Sequence, residues 1–398
     1  HPDNPVKYGV LKARQNANGQ AVRWTAICDP DDTDAWEDVL SLLDGRDDVY
    51  TLVPLTRNST VWNLFEAHVD EQSSAENGRW RRVLFSLAGM PEKTIVDASL
   101  SSDTATVLAT VTDDPDTSGT QYTFLRVPAG NANFTVNGVR AGDVVRLLYT
   151  TDGFGGEQYT ERVVDEVISE DTLRLRTGLD AAINVAAKIE VWRNLTPTEE
   201  AEAIAAGHGF SNLRVSVLWP DTIVDGDYTL EGYFLCAAVA GLVSGVVPQQ
   251  GLTRVSIAGF TSAARSTSHF RKAQLDTLAA SGVWVVTQDL QTSAIYSRHA
   301  ITTAPYSQLT SREEVLARNP DDTSYFFLDL LKPYVGQTNV TPETLANLRV
   351  QLEGGIAVLR NRNRVPSLGG QIVDCEITSI AQSTILLDHV VIVLTPQY

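Results

Sequence analysis

Clustered carboxylates are the first groups in this chain that could do chemistry. Asp29, Asp31, Asp32 and Asp34 stand together, and hard cations prefer such oxygen donors, yet the stretch lacks the glycine and distal glutamate of an EF-hand loop. It reads as a solvated loop ending in a helix cap at Asp34. Asp221, Asp225 and Asp227 surround Gly226 and could also hold a cation, although the same letters make a turn between Leu218-Trp219 and Tyr228. Ser244, in Gly241-Leu-Val-Ser-Gly245, misses the nucleophile-elbow spacing by one residue and serves more simply as a small residue for helix packing. The histidines show no i, i+4 metal spacing on any expected helix. His299, in an Arg-His step on an expected strand, is the one near a possible cleft and reads as structural. Gly153-Phe-Gly-Gly is not followed by a helix, so it reads as a hairpin tip and not as a phosphate loop. Cys28, Cys236 and Cys375 are widely separated and read as buried free thiols. No catalytic, metal or cofactor set emerges, and the expectation is a non-enzymatic protein without cofactors.

Charge narrows the partners. With 31 Lys+Arg against 49 Asp+Glu the net charge is −18, which opposes direct nucleic-acid binding because that draws its affinity from cations on phosphates. The apolar stretch 233–247 is too short to cross a bilayer, so no membrane insertion is expected. No secretory signal is visible, and the four Asn-x-Ser/Thr sequons at Asn58, Asn133, Asn194 and Asn339 are therefore read as chance. At 398 residues, two or three domains can each bury a core.

The elements divide into blocks. Residues 8–27 alternate and carry Asn18-Gly19, a hairpin signal. Helices over 35–43 and 61–69 then intersperse with strands over 49–55 and 82–87, an α/β order. Short strands over 105–111, 122–127, 134–136, 143–150, 158–167, 172–176 and 189–192 suggest a barrel or sandwich. Thr196-Pro-Thr-Glu-Glu is a capping sequence at which α/β character resumes. A small-residue helix follows over 233–245, then strand character over 252–259, a helix closed by Gly282, a buried strand over 283–287 and a strand from Ile295. Thr341-Pro342-Glu343 opens a helix with Leu345, Leu348, Leu352, Ile356 and Leu359 on one face and a polar opposite side. Strands over 372–377 and 385–394 end the chain, and the second is apolar enough to require cover within the subunit or from another chain.

The order from 228 onward resembles the contractile phage tail sheath family. The residues carrying the resemblance are Ala237-Ala-Val-Ala-Gly-Leu-Val-Ser-Gly245, then Thr253 with Ile257 and Gly259, then Leu275 and Leu278 before Ser281-Gly-Val283, and Arg298 before Ile301-Thr-Thr303. The fold class expected is a discontinuous α/β core with an inserted all-β barrel- or sandwich-like domain and a C-terminal α+β domain ending in an exchanged strand. The expected boundaries are 1–101 for the N-terminal arm and first core part, 102–194 for the insertion, 195–305 for the second core part and 306–398 for the C-terminal domain.

The resemblance implies a homo-oligomeric helical sheath of stacked rings around a tail tube, with baseplate and tail terminator proteins as further partners. It places the protein in a virion's contractile tail, assembled in the host cytoplasm, where terminal arms add as strands to neighbouring subunits. Ile385, Leu387, Val391 and Val393 are the candidates for that inter-subunit strand. Arg349, Arg360, Arg362 and Arg364 form a locally basic segment and are the candidates for docking an acidic tube, although a solvated helix end accounts for them equally. The family's core has been likened to subtilisin, but no acid, histidine and serine stand in protease-like settings. The alternatives from other classes are a hydrolase-like or carbohydrate-acting enzyme with a β accessory domain, and a tail tube or baseplate adaptor protein.

Overall fold

Asn4 and Pro5 start the chain as a helix. The Asn4 side chain accepts from the Lys7 amide at 3.0 Å, and Pro5 occupies the first turn, where an N–H would have no partner. The helix α1 runs Pro5–Asn16, so the hairpin expected over 8–27 is not formed. Asn18 and Gly19 do take positive φ, 45° and 85°, but this turn stops a helix instead of joining two strands. Helix α2, Thr33–Asp44, is capped by Asp32, whose side chain accepts from the amides of Asp34 and Ala35, so the cap is not Asp34. Strand β1, Thr51–Leu52, is followed by α3, Ser59–Gln72, capped by Asn58 as expected, and by strand β2, Arg82–Ser86.

The computed structural model describes residues 4–74, 76–99, 108–113, 121–127, 132–150, 157–177, 187–305, 307, 312–336, 339–364, 369–385 and 389–398. They fall into two compact units, His1–Gly89 with Ala201–Tyr398, and Met90–Glu200. The second unit holds β3 (Glu92–Ser99), β4 (Leu108–Asp113), β5 (Gln121–Arg126), β6 (Val144–Thr150), β7 (Glu157–Ser169), β8 (Thr172–Leu175) and β9 (Ala187–Asn194). Among the described residues one sheet contains them in the order β3-β9-β6-β7-β8-β5-β4, with no pairing between β3 and β4 that would close it into a barrel. Bulges in β7 at 164–166 and 167–169 bend the sheet where it changes partner from β6 to β8. Alternate residues then meet on one side: Val145 and Leu147, Ile189 and Val191, Leu173 and Leu175 are all buried. The segment 134–136 is not a strand. Asn133 and Gly138 take positive φ and fold it into a turn around the buried Phe134. Of the strand expected over 105–111, residues 105–107 lie outside the described residues.

Helix α4, Pro197–Gly207, opens on a reciprocal cap between Thr196 and Glu199. Then come β10 (Val215–Trp219), the hairpin β11 (Thr222–Asp225) and β12 (Tyr228–Glu231), α5 (Tyr233–Gly245), α6 (Lys272–Ser281), β13 (Val283–Gln288) and β14 (Ile295–Ser297). The first unit's main sheet has the order β1-β2-β10-β13-β14, parallel through β13 and antiparallel at β14. Its central strands are buried on both faces, as continuous apolar runs in parallel sheets must be. Leu84, Leu218 and Trp284 face α1 and α5, while Phe85, Val217 and Val285 face α2, α3 and α6. Residues 252–259 meet β14 through a bridge between Ser256 and Tyr296, with the amides of Arg254, Ile257 and Ser297 donating to the carbonyls of Ser297, Ile295 and Val255.

The glycines of α5 are spent on α1. A Cβ at Gly241 would stand 2.1 Å from the Ala13 carbonyl oxygen, and one at Gly245 would stand 2.5 Å from that of Asn16. The contact is completed by Tyr8, edge-on to Phe234 at 5.3 Å, and by the buried Lys12, whose Nζ meets Asp225 at 2.5 Å. The Tyr8 hydroxyl also donates to Asp225, and burial first, then this carboxylate, pushes its pKa up to about 12.

The remaining elements are α7 (Glu314–Leu331), α8 (Pro342–Leu359), β15 (Asp374–Gln382) and β16 (Val390–Gln397). Helix α7 was not foreseen. It joins the main sheet through buried charge: Glu314 lies 2.5 Å from Arg82 of β2 and 3.1 Å from Arg318, and all three are at most 5% exposed. Arg82 also donates to Ser216 at 2.8 Å, and Asp321 binds Arg214 and accepts from Tyr50 at 2.9 Å.

Two outcomes test this packing. Gly241→Ala drives a methyl into backbone, which cannot yield without separating α1 from α5, so urea denaturation is expected to show a loss of about 3 kcal/mol. The second concerns His68, which is 7% exposed and accepts from Arg81 through Nε2 at 2.7 Å. Burial, with Arg81 adding to it, holds its pKa down at about 4. The unfolded chain therefore binds the extra proton first, and stability is lost as pH falls from 6.5 toward 4, by up to about 3 kcal/mol. His68→Gln keeps an acceptor for Arg81 and removes that slope, which paired urea titrations at pH 7 and pH 4 will read as a smaller pH difference than in the parent.

Candidate assembly surface

Each sequence-level candidate for chemistry is already occupied by the fold. Asp29 accepts from the Asp31 amide at 3.0 Å and Asp32 caps α2, so the first acidic cluster is a pair of local turns. Asp221 faces Arg265 at 3.0 Å and Asp225 faces Lys12, which spends both on cations of the chain itself. Among the described residues no three His, Cys, Asp or Glu side chains converge as metal ligands. The Ser244 hydroxyl donates back to the Ala240 carbonyl at 3.0 Å. Cys236 and Cys375 are buried free thiols, but Cys28 is exposed.

His299 does border a cleft, of 370 Å³, lined also by Thr253, Asp276, Ala279, Val285 and Arg298. Its acid is not available. Asp276 is held by Lys272 at 2.6 Å and Arg298 at 2.5 Å, which keep its pKa below the ordinary carboxylate range. His299 is half-exposed and stands 3.4 Å from Glu313.

The C-terminal elements carry the other candidates. Leu352, Ile356 and Leu359 of α8 are buried with Phe327 and Ile372, Leu348 is buried too, and Leu345 is partly buried. The opposite side of α8 is not wholly polar: Val350 and Val358 are 64% and 52% exposed, and with Ala357, Asn361 and Arg362 the latter borders an open depression of 510 Å³. The four arginines divide into two kinds. Arg360 pairs with Asp374, which keeps that carboxyl below its ordinary range, and Arg362 pairs with Asp322 at 3.1 Å while stacking over Phe326. Arg349 and Arg364 are exposed and have no ion-pair partner among the described residues. Sequence reasoning missed Asp322 because it sits on the unforeseen α7, and Asp374 because only the fold brings the start of β15 to the end of α8.

The terminal strand begins later than expected and is paired within the chain. β16 runs antiparallel to β15, with Ile380 opposite Ile392 and Ile377 opposite Leu394 over the buried face of α8. Val391 and Val393 point away and are 50% and 42% exposed, and Ile385, before the strand, is 87% exposed. Leu387 lies outside the described residues. These two strands form a sheet of their own.

Comparison with known proteins places this architecture. No family profile and no curated protein matches the chain. Among solved structures, the contracted helical sheath of the anti-feeding prophage aligns over 98% of this chain and 78% of that one, at 10% identity and a TM-score of 0.54. The sheath tail protein from Desulfitobacterium hafniense aligns over 79% of this chain and 96% of that one, at 12% identity and a TM-score of 0.35. A chain of the anti-feeding prophage baseplate aligns over 47% of this chain and 51% of its own length, at 15% identity and a TM-score of 0.39. The chain thus spans about half the length of that baseplate chain, and the first of these alignments shows a shared fold.

Proposed function

We propose that this chain is the protomer of a contractile sheath, a structural subunit that polymerises around a tail tube and shortens to drive that tube through an envelope. The observation that carries this reading is the likeness to the contracted anti-feeding prophage sheath along nearly the whole chain. Work comes from two packings of the same subunits. If the contracted lattice is favoured by even a few kcal/mol per subunit, the sum over many copies moves the tube without nucleotide hydrolysis. No cofactor enters. Baseplate and terminator proteins cap the two ends of the polymer, in the tail of a phage-like particle.

The surface has two kinds of contact to offer. Arg349 and Arg364, the unpaired cations, are the tube-facing charges, while Arg360 and Arg362 hold the end of α8 to Asp374 and Asp322. Ile385, Val391 and Val393 present uncharged side chains to neighbouring subunits. The Met90–Glu200 unit is an ornament on the lattice, since its ends meet where Leu195 donates to the Pro91 carbonyl at 2.8 Å.

Electron microscopy of the purified chain is expected to show tubes or stacked rings. Particles that remain monomeric at every concentration and salt would overturn the reading. Arg349→Gln with Arg364→Gln is expected to leave those polymers intact and to remove co-sedimentation with the cognate tube. Raising salt to 1 M, where the screening length is about 3 Å, will mimic that loss in the parent protein.

A further inference from the structure

Three Asn-Gly pairs stand in this chain, Asn18-Gly19, Asn77-Gly78 and Asn137-Gly138. Each carries its own electrophile and nucleophile. The asparagine Cγ lies one ring closure from the nitrogen of the next residue, and glycine has no Cβ to hinder the approach or to limit the backbone. All three asparagines are exposed, and all three glycines take positive φ. By their letters the pairs are equals.

The fold separates them. The Gly78 amide donates to the Ser74 carbonyl at 2.9 Å and the Gly138 amide to that of Thr135 at 3.0 Å, so in both the attacking nitrogen is committed. Gly19 differs. Its φ of 85°, after 45° at Asn18, lies under a hydrogen bond from the Gln20 amide to the Ala17 carbonyl, a turn of the I′ kind in which the central amide takes no part in the closing bond. Among the described residues the Gly19 N–H donates to nothing. The side chains are ordered the same way. Asn77 donates to the Glu71 carbonyl at 2.9 Å and Asn137 to that of Ala132 at 2.7 Å, whereas Asn18 reaches the Gly245 carbonyl only at 3.3 Å.

We propose that Asn18 is a site of spontaneous deamidation, the one of the three that the folded chain leaves open. Solvent base takes the Gly19 amide proton, the nitrogen attacks Cγ, and a cyclic imide closes as the Cγ–Nδ2 bond breaks and ammonia leaves. Water then opens the ring at either carbonyl. One opening gives aspartate and the other isoaspartate, whose Cβ has entered the main chain. Either product places a carboxylate where the amide had donated to Gly245, so an acceptor faces an acceptor. That carbonyl ends α5, and α1 ends just before Asn18, so the new charge also opposes two helix termini that are already negative. Little there can give way, because Gly245 is held against the Asn16 carbonyl without room for a Cβ. The product therefore loosens the contact between α1 and α5, and the chain carries a record of its age at that joint.

Peptide mapping of the full chain, held folded at pH 8, reads the acid formed at each pair. Asn18 is expected to convert at least tenfold faster than Asn77 or Asn137, to yield both acids, and to slow at pH 6. In urea the three rates are expected to converge, since each nitrogen belongs to a glycine and only the fold ranks them. Equal rates in the folded chain, or an Asn18 that stays intact there while it converts in urea, would overturn the proposal. Two variants read the consequence. Asn18→Gln, whose closure needs a larger ring, is expected to abolish the signal at this position, and Asn18→Asp supplies one product directly. During incubation the parent is expected to drift toward the lower urea midpoint of Asn18→Asp, while Asn18→Gln stays where it began. An Asn18→Asp chain as stable as the fresh parent would refute the loosening of α1 from α5.

Discussion

The Glu314 carboxylate holds the first unit together. It is fully buried between two guanidinium groups, Arg82 from the main sheet and Arg318 one turn along its own helix. The apolar core of α7, α8, β15 and β16 is separate from the two cores that flank the main sheet. What joins them is therefore polar. Arg318 further donates to the Val243 and Gln250 carbonyls, Arg312 to those of Ala279 and Ala280, and Tyr325 to that of Trp80. A seam of this kind gains little net stability, since desolvating the charges offsets most of their attraction, but it is strict about geometry. A sliding apolar interface tolerates many registers, whereas a carboxylate displaced from two buried guanidinium groups leaves three uncompensated charges. Whatever the C-terminal elements touch is thus held in fixed relation to the main sheet.

That seam also explains why α7 was illegible. Its buried positions are Glu314, Ala317, Arg318, Asn319, Asp321, Thr323 and Phe327, of which only Ala317 and Phe327 are apolar, and Pro320 stands among them. A hydrophobic period cannot report a face that is buried by ion pairs. Elements with ordinary chemistry were readable. The Thr196 cap, the left-handed Gly282 and the apolar strand β13 all fall where their letters place them. Gly241 was legible as a point of close approach, though not that α1 would be the neighbour, because α1 itself was mistaken for a strand. Its polar letters, with Lys12 buried against Asp225, hide the face that packs. For the candidate surface, the four arginines were visible as a group. Their division into paired and unpaired required the fold, since Asp322 and Asp374 lie 40 and 14 residues from their partners, Arg362 and Arg360.

Net charge places a demand on any assembly of this chain. At −18 per copy, subunits repel one another, and repulsion between like-charged bodies is relieved by salt. The surfaces proposed for subunit contact carry almost no charge: β16 has none, and Ile385, Val391 and Val393 are aliphatic. The attraction proposed for them comes from apolar burial, which salt does not screen. The proposed tube contact is the reverse, two exposed cations whose attraction for an acidic surface is screened. On the proposed function, contact between subunits and contact with a tube respond to ionic strength with opposite sign. A lattice built on that contrast can let go of its tube without coming apart, which is the physical condition for subunits to rearrange while remaining joined.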